Sequence, residues 1–338
     1  MNSWIALARP PGVGWKALSR GTFFYSATFL IENHQGTIIA TATAIDPLQE
    51  RWKHLAGLID QALETRIAGL SEDCPDRLRD SMRYSLLGPG KRLRPVLCLL
   101  ACETLGGTAA SAIPSAIALE MIHCYSLIHD DLPAMDDDDL RRGRPTCHIQ
   151  FDEATAILAG DGLQALAFQT LMESEMSPSQ QVQSLLVLAK AAGPEGMVAG
   201  QVDDLWAEKH GGDGRLLQSI HARKTGAMIR GSVELGGIAA GASEKDLRVM
   251  SQYGDAIGIA FQIADDLLDV ESTAENTGKR TGKDQERGKL TYPSIYGVED
   301  SRAKARELVL KAVRLVEPYG AAAVPLQQLA KYIIDRSH

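Results

Sequence analysis

The chain has 338 residues, 45 % hydrophobic and 23 % charged, which is long enough to bury a sizeable core and excludes wholesale disorder. Its net charge of −8 argues against a nucleic-acid partner, which calls for a basic face. No apolar run approaches the roughly 20 residues needed to cross a bilayer, and five scattered cysteines without a CxxC pair indicate neither a disulfide framework nor a zinc site.

Residues 1–45 stand apart. No acidic residue precedes Glu32, while Arg9, Lys16 and Arg20 are basic, and Trp4, Trp15, Phe23, Phe24, Tyr25 and Phe29 are a third of all the aromatics. This composition reads as a targeting segment, as a poorly ordered extension, or as the product of an upstream start. No element is assigned to it, and it is expected to contribute nothing to the chemistry.

From residue 46 onward the pattern is helical. Residues 47–70 place Leu48, Trp52, Leu55, Leu58, Ile59 and Leu63 close to the i, i+3, i+4 spacing of one buried face. Residues 113–129, 154–172, 180–192, 216–241 and 247–270 repeat it, with breakers such as Gly88-Pro89-Gly90, Gly106-Gly107, Gly193-Pro194, Gly211-Gly212 and Gly278 between the segments. Cys98 and Cys102, four apart in another apolar helical stretch, read as buried reduced thiols. Ala and Leu dominate and β-branched alternation is scarce, which predicts an all-α fold: a single large helical bundle over residues 46–338, with long, nearly fully apolar helices at its centre.

The helix over 113–129 runs into Asp130, Asp131, Asp136, Asp137, Asp138 and Asp139. The helix dipole disfavours carboxylates at its C-terminus, so this many need a compensating charge, and bound cations supply one. Pro133 stops the regular helix and lets Asp136 turn back toward Asp130. A few carboxylates, with water and phosphate completing the shell, is how Mg²⁺ is usually held. Taken alone, the stretch also fits a calcium site or a solvated acidic loop. A second cluster, Asp265, Asp266 and Asp269, again ends an apolar helix, and Asp265 and Asp269 project from one face. Two such clusters facing one another across a cavity would trap metal ions between them.

Basic residues accompany both clusters. Lys91, Arg92 and Arg94 precede the first, Arg141, Arg142 and Arg144 follow it, and Lys279, Arg280, Lys283 and Lys289 follow the second. Each group alone reads as a solvated patch. Their repeated pairing with aspartates points to a polyanion, for which Arg gives bidentate hydrogen bonds and Lys a point charge. Between the clusters lies His221-Ala222-Arg223-Lys224-Thr225-Gly226. A glycine inside a helix costs roughly 1 kcal/mol relative to Ala, so Gly226 is either incidental or marks a kink that exposes carbonyls. In the second case Lys224 reaches a diphosphate, and Thr225 with the freed carbonyls faces a developing cation.

Together these segments resemble the trans-prenyl diphosphate synthases, most closely the bacterial farnesyl diphosphate synthases (geranyltranstransferases). The strings that carry the resemblance are residues 84–95, 123–147, 158–161, 200–201, 221–226 and 261–293, in the family's order, and it extends from about residue 46 to the C-terminus. It implies a homodimeric bundle of the isoprenoid synthase type with a central apolar pocket. The implied location is the cytoplasm, or an organelle if residues 1–45 are a transit segment. The implied reaction couples isopentenyl diphosphate head to tail with dimethylallyl or geranyl diphosphate, giving farnesyl diphosphate with three Mg²⁺ ions, for which Mn²⁺ can substitute. By the same resemblance Asp130, Asp136 and Asp265 ligate the metal, with Asp131 and Asp269 supporting. Arg141, Lys224 and Lys279 hold the allylic diphosphate, Lys91, Arg94, His123 and Arg142 bind isopentenyl diphosphate, Lys289 joins the substrate-binding set, and Thr225 and Gln262 line the path of the cation.

Tyr125 lies five residues before Asp130, about 7.5 Å down the helix. In farnesyl-type bacterial enzymes an aromatic there closes the pocket floor, whereas plastid-type geranylgeranyl enzymes have a smaller or more flexible residue, so Tyr125 favours a C15 product unless it is an ordinary core tyrosine. One departure is visible: Pro89 stands where the family normally has Gly. Its fixed φ and missing N–H imply weaker binding of isopentenyl diphosphate with activity retained. The alternatives are a geranylgeranyl diphosphate synthase, a catalytically silent prenyl-synthase-like subunit, and a calcium-binding helical scaffold. Both acidic motifs are intact, which goes against the silent subunit, and the scaffold leaves the basic clusters unexplained.

Overall fold

Nearly every long segment with an apolar period of 3.6 folds as helix. The computed structural model describes residues 25–33, 36–44, 47–275 and 290–335, and these divide into two compact units.

The first unit is an antiparallel hairpin, β1 (Tyr25–Asn33) and β2 (Gly36–Ala44), in register from Tyr25 opposite Ala44 to Asn33 opposite Gly36. The sequence reading assigns no element there, although Thr37, Ile38, Ile39, Thr41 and Thr43 are β-branched residues suited to a strand.

The second unit is the all-α bundle that the sequence predicts. Its helices are α1 (Pro47–Ala68), α2 (Asp76–Leu86), α3 (Leu93–Thr104), α4 (Ala109–Asp130), the short α5 (Cys147–Gln150), α6 (Glu153–Met172), α7 (Pro178–Ala192), α8 (Met197–His210), α9 (Gly214–Ile220), α10 (Ala227–Ala239), α11 (Glu244–Glu275), α12 (Tyr292–Tyr296), α13 (Val298–Val316) and α14 (Val324–Asp335). Two-residue strands β3 (Leu140–Arg141) and β4 (Arg144–Pro145) pair between α4 and α5.

α4 is the central element. Thr108 caps it by accepting a hydrogen bond from the Ser111 amide, and almost every apolar side chain from Ala112 to Ile128 is buried, as expected of a helix that is hydrophobic all round. It packs against α3, α6 and α10. Its 22 residues are long and apolar enough to cross a membrane by composition, which corrects the expectation that no run comes near that length. About two thirds of that window is buried inside the bundle, and these neighbours account for the apolarity.

The segment over 216–241 is not one helix. Between α9 and α10 the chain widens into a π-turn, His221–Gly226, and so departs from regular helix where Gly226 suggests it. Gly226 is also a point of contact. A Cβ on Gly258 of α11 would lie 2.8 Å from the Gly226 Cα, so the two glycines let α11 and the π-turn meet backbone to backbone. Replacing Gly258 with Val should therefore force the elements apart and lower stability by about 1–3 kcal/mol, read as a fall in the urea midpoint at unchanged slope.

Candidate active site

The acidic end of α4 is folded by its own main chain. The Asp136 amide donates to the Asp130 carbonyl at 2.8 Å, that of Met135 to Leu132 at 2.9 Å and that of Asp138 to Asp131 at 3.2 Å, with Asp137 in the left-handed region at φ 52°. The return of Asp136 toward Asp130 is thus built into the turn. Asp131 points inward and is clamped by Arg141, whose Nε lies 2.7 and 3.0 Å from its two carboxylate oxygens. Asp130 instead accepts from Gln201 Nε2 of α8 at 3.0 Å. Burial pushes its carboxyl from an ordinary 3.8 up to about 6. Asp136 and Asp131 add to that effect, and Lys224 and Arg141 oppose it.

The π-turn carries the next group. Lys224 Nζ lies 2.6 Å from Asp204 Oδ2 on α8, and Arg223 pairs with Asp203 at 3.2 Å. Thr225 is buried. His221 stacks on Tyr292 with ring centroids 6.2 Å apart, and its Nε2 is 3.6 Å from Asp266 Oδ2, which also accepts from the Tyr292 amide at 2.8 Å. Asp266 therefore faces the core, Asp265 is half-buried and Asp269 is exposed.

A cavity of about 600 Å³ unites much of the expected set. Lys91, Arg94, His123 and Arg142 line it, with Thr225, Gln262 and Asp265, and Trp52, Phe261, Leu329 and Tyr332 supply apolar wall. Arg94 Nε is buried without a hydrogen-bond partner. Burial lowers the proton affinity of Arg94; Glu120 and Asp265 work against that and Arg142 adds to it. Burial, then Arg94, Arg142, Arg141 and Arg92, hold His123 well below the usual histidine range, so its ring is neutral near pH 7. Several cations thus converge on a space with too little counter-charge, and an anion is what satisfies them.

Arg92, from the same basic run, is structural. It is buried and bonds Asp60 at 2.8 Å and Glu120 at 2.7 Å, in the left-handed region at φ 52°. Two residues earlier, a Cβ on Gly90 would lie 2.6 Å from the Arg142 guanidinium, so a side chain there would push that guanidinium aside. The Pro89 carbonyl accepts from Arg142 at 2.5 Å, so the proline leaves the grip on Arg142 intact.

Two groups therefore emerge: Asp130, Asp131, Asp136, Arg141 and Lys224 in one, the cavity set in the other, joined where Lys224 adjoins Thr225. Lys279 and Lys289, with Arg280 and Lys283, lie outside the described residues. Tyr125 is buried on the α6 side of α4, edge-on to His129 at 5.8 Å and facing Gln164. It sits about 140° around the helix from Asp130, and Ser126 is the residue one turn below Asp130 on the same face. Among the described residues, no three His, Cys, Asp or Glu side chains converge to hold a metal by themselves. A few crowded carboxylates nonetheless fit Mg²⁺, which takes one or two from protein and the rest from phosphate and water.

Gln201, Asp204, His221 and Trp52 are given no role by the sequence alone, and Asp266 of the second acidic cluster turns to the core. Gln201 and His221 lie within strings that carry the resemblance, and Asp204 follows Gln201 by three residues, which puts both on one helix face.

A model of the polyprenyl synthetase family matches residues 75–324. The chain is 44 % identical over 283 residues to a dimethylallyltranstransferase of Fischerella ambigua, covering 83 % of this chain and 81 % of that one. It is 44 % identical over 287 residues to a chloroplastic geranylgeranyl pyrophosphate synthase of Catharanthus roseus, covering 84 % and 80 %. Among solved structures, an apo FPP/GFPP synthase from Zymomonas mobilis superposes with a TM-score of 0.76 at 38 % identity, covering 85 % of this chain and 98 % of that one.

The raised Asp130 has a consequence for stability. Its folded state holds a proton between 3.8 and about 6 that the unfolded chain gives up, so stability falls as pH rises through that window, by about 2–3 kcal/mol. Asp130→Asn removes that titrating carboxyl. In EDTA the variant should melt above wild type at pH 7.5 and together with it at pH 4.

Proposed function

The chain belongs to the polyprenyl synthetase family, and we propose that within it the chain is a farnesyl diphosphate synthase, coupling isopentenyl diphosphate with dimethylallyl or geranyl diphosphate. The observation that carries elongation is the cavity in which the buried, unpartnered Arg94 Nε, with Lys91 and Arg142, lies beside Thr225, Gln262 and Asp265. Cations for one diphosphate thus adjoin polar oxygens and an apolar wall suited to a carbocation.

Lys224 and Arg141 orient the allylic diphosphate, both already placed by Asp204 and Asp131. Mg²⁺ held by Asp130, Asp136 and Asp265 would neutralise charge on the leaving diphosphate, which favours breaking the allylic C–O bond. Thr225 and Gln262 face the resulting cation with oxygen dipoles, and Phe261 and the neighbouring apolar wall keep water away from it. The double bond of isopentenyl diphosphate, held by Lys91, Arg94 and Arg142, attacks that carbon. The new carbon–carbon bond leaves a tertiary cation, which loses a proton to form the product double bond. Among the described residues no side chain is placed as a dedicated base, and the departed diphosphate accepts the proton.

Tyr125 supports a C15 product, as a rigid buried ring low on α4. A C20 product is the second reading, favoured by relatives named as geranylgeranyl synthases and by the angular offset of Tyr125 from Asp130. Purified protein with Mg²⁺, labelled isopentenyl diphosphate and either primer should yield C15, with EDTA or Asp130→Ala abolishing it. Tyr125→Ala should then lengthen the product. A C20 product from wild type, unchanged in Tyr125→Ala, would sink the chain-length reading, and no elongation from any primer would falsify the enzyme.

We also propose a homodimer. Val182 and Leu186, one turn apart on α7, and Ile157 and Leu158 on α6 are exposed, more apolar surface than a lone helix face should leave in water. Light scattering should give twice the chain mass, and Leu186→Glu should shift it toward the monomer.

A further inference from the structure

The loop between α2 and α3 has its carbonyls taken by side-chain donors. Arg92 donates to the carbonyls of Leu86 and Gly88 at 3.1 and 3.0 Å, and Arg142 to that of Pro89 at 2.5 Å. The carbonyl of Lys91 accepts from the indole Nε1 of Trp52 at 2.7 Å. Arg92 and Arg142 belong to the basic strings that mark the site. Trp52 comes from α1, is uncharged and belongs to no motif. Its ring also lines the cavity and packs on Tyr332 of α14, with centroids 6.1 Å apart at 58°. One indole thus touches the loop, the cavity wall and the last helix.

We propose that Trp52 is a positioning residue for the isopentenyl diphosphate site: its N–H fixes the Lys91 peptide, and with it the direction in which the Lys91 ammonium approaches the diphosphate. The inference rests on the proposed function and deepens it. Lys91 is exposed and carries a flexible four-carbon stem. The Trp52 indole holds the Lys91 carbonyl as Arg142 holds that of Pro89. Arg94 sits inside α3 and takes its orientation from that helix, so it does not depend on Trp52. Loss of the indole N–H should therefore loosen one cation of the set and leave the others in place. Fixing a loop before the ligand arrives removes part of the ordering cost of binding.

The test uses the full chain, Trp52→Phe and Trp52→Ala, with calorimetric binding of isopentenyl diphosphate and, separately, of the unreactive geranyl thiolodiphosphate with Mg²⁺. Phe keeps a ring against Tyr332 and loses only the donor. Its affinity for isopentenyl diphosphate should fall roughly fivefold, the effect of one net hydrogen bond, and that of the Ala variant should fall further. Affinity for the thiolodiphosphate should not move in either. Isopentenyl diphosphate binding in Trp52→Phe equal to wild type would overturn the inference while leaving the enzyme reading intact. So would a parallel loss for both ligands together with a lower melting temperature, which marks a structural role. Wild-type protein that binds no isopentenyl diphosphate would overturn the proposed function itself, and the inference with it.

Discussion

The site depends first on one buried ion pair. Arg92 and Glu120 meet at 2.7 Å with side chains only 6 % and 5 % exposed. The same guanidinium reaches Asp60 on α1 and the carbonyls of Leu86 and Gly88. It therefore ties α1, the end of α2, the loop and α4 at the point where α3 begins. Breaking such a pair from one side leaves a buried charge and costs about 3–5 kcal/mol. Lys91 and Arg94 flank Arg92 in sequence, and Arg142 hangs from the loop it holds. The anion-binding geometry follows from a residue that binds no ligand.

Around that pair the protein concentrates charge of each sign that is only partly compensated. On one side the half-buried Asp130 sits among aspartates; on the other Arg94, with its Nε buried, and the exposed Arg142 stand among cations. Arg141 on Asp131 and Lys224 on Asp204 hold part of each set in balance. Diphosphate and divalent cations have the complementary charges, so binding relieves repulsion on both sides. The apolar bundle supplies the low-dielectric setting in which those charges act strongly, and the extensive core behind α4 keeps them from relaxing apart.

Much of this was legible in the sequence, for local reasons. The long helices follow from period and composition, and the acidic motifs from spacing along one helix each. The turn from Asp130 to Asp136 follows from Pro133, and the break near Gly226 from one misplaced glycine. What escaped was made by convergence. Trp52 comes from α1 and Tyr332 from α14, and nothing in either segment says that they share a wall. Gln201 and Asp204 are ordinary polar residues of a helix until α8 is packed against the π-turn. Asp131 and Asp266 look like their acidic neighbours, and only their partners show that they face inward. The hairpin over 25–44 escaped because its β-branched run is short against the helical pattern of the whole chain.

The π-turn has a further meaning as arithmetic. A wide turn places one more residue in the same rise, so everything beyond it is rotated by about 100° relative to an uninterrupted helix. Lys224 and Thr225 sit inside that insertion, and the apolar faces of α9 and α10 are phased to either side of it. Deleting a single residue from 221–226 would restore an unbroken helix of better local geometry and turn the two side chains away from the chemistry. The segment is thus bound to a count as well as to its residues: its length cannot change by one without rewriting the site.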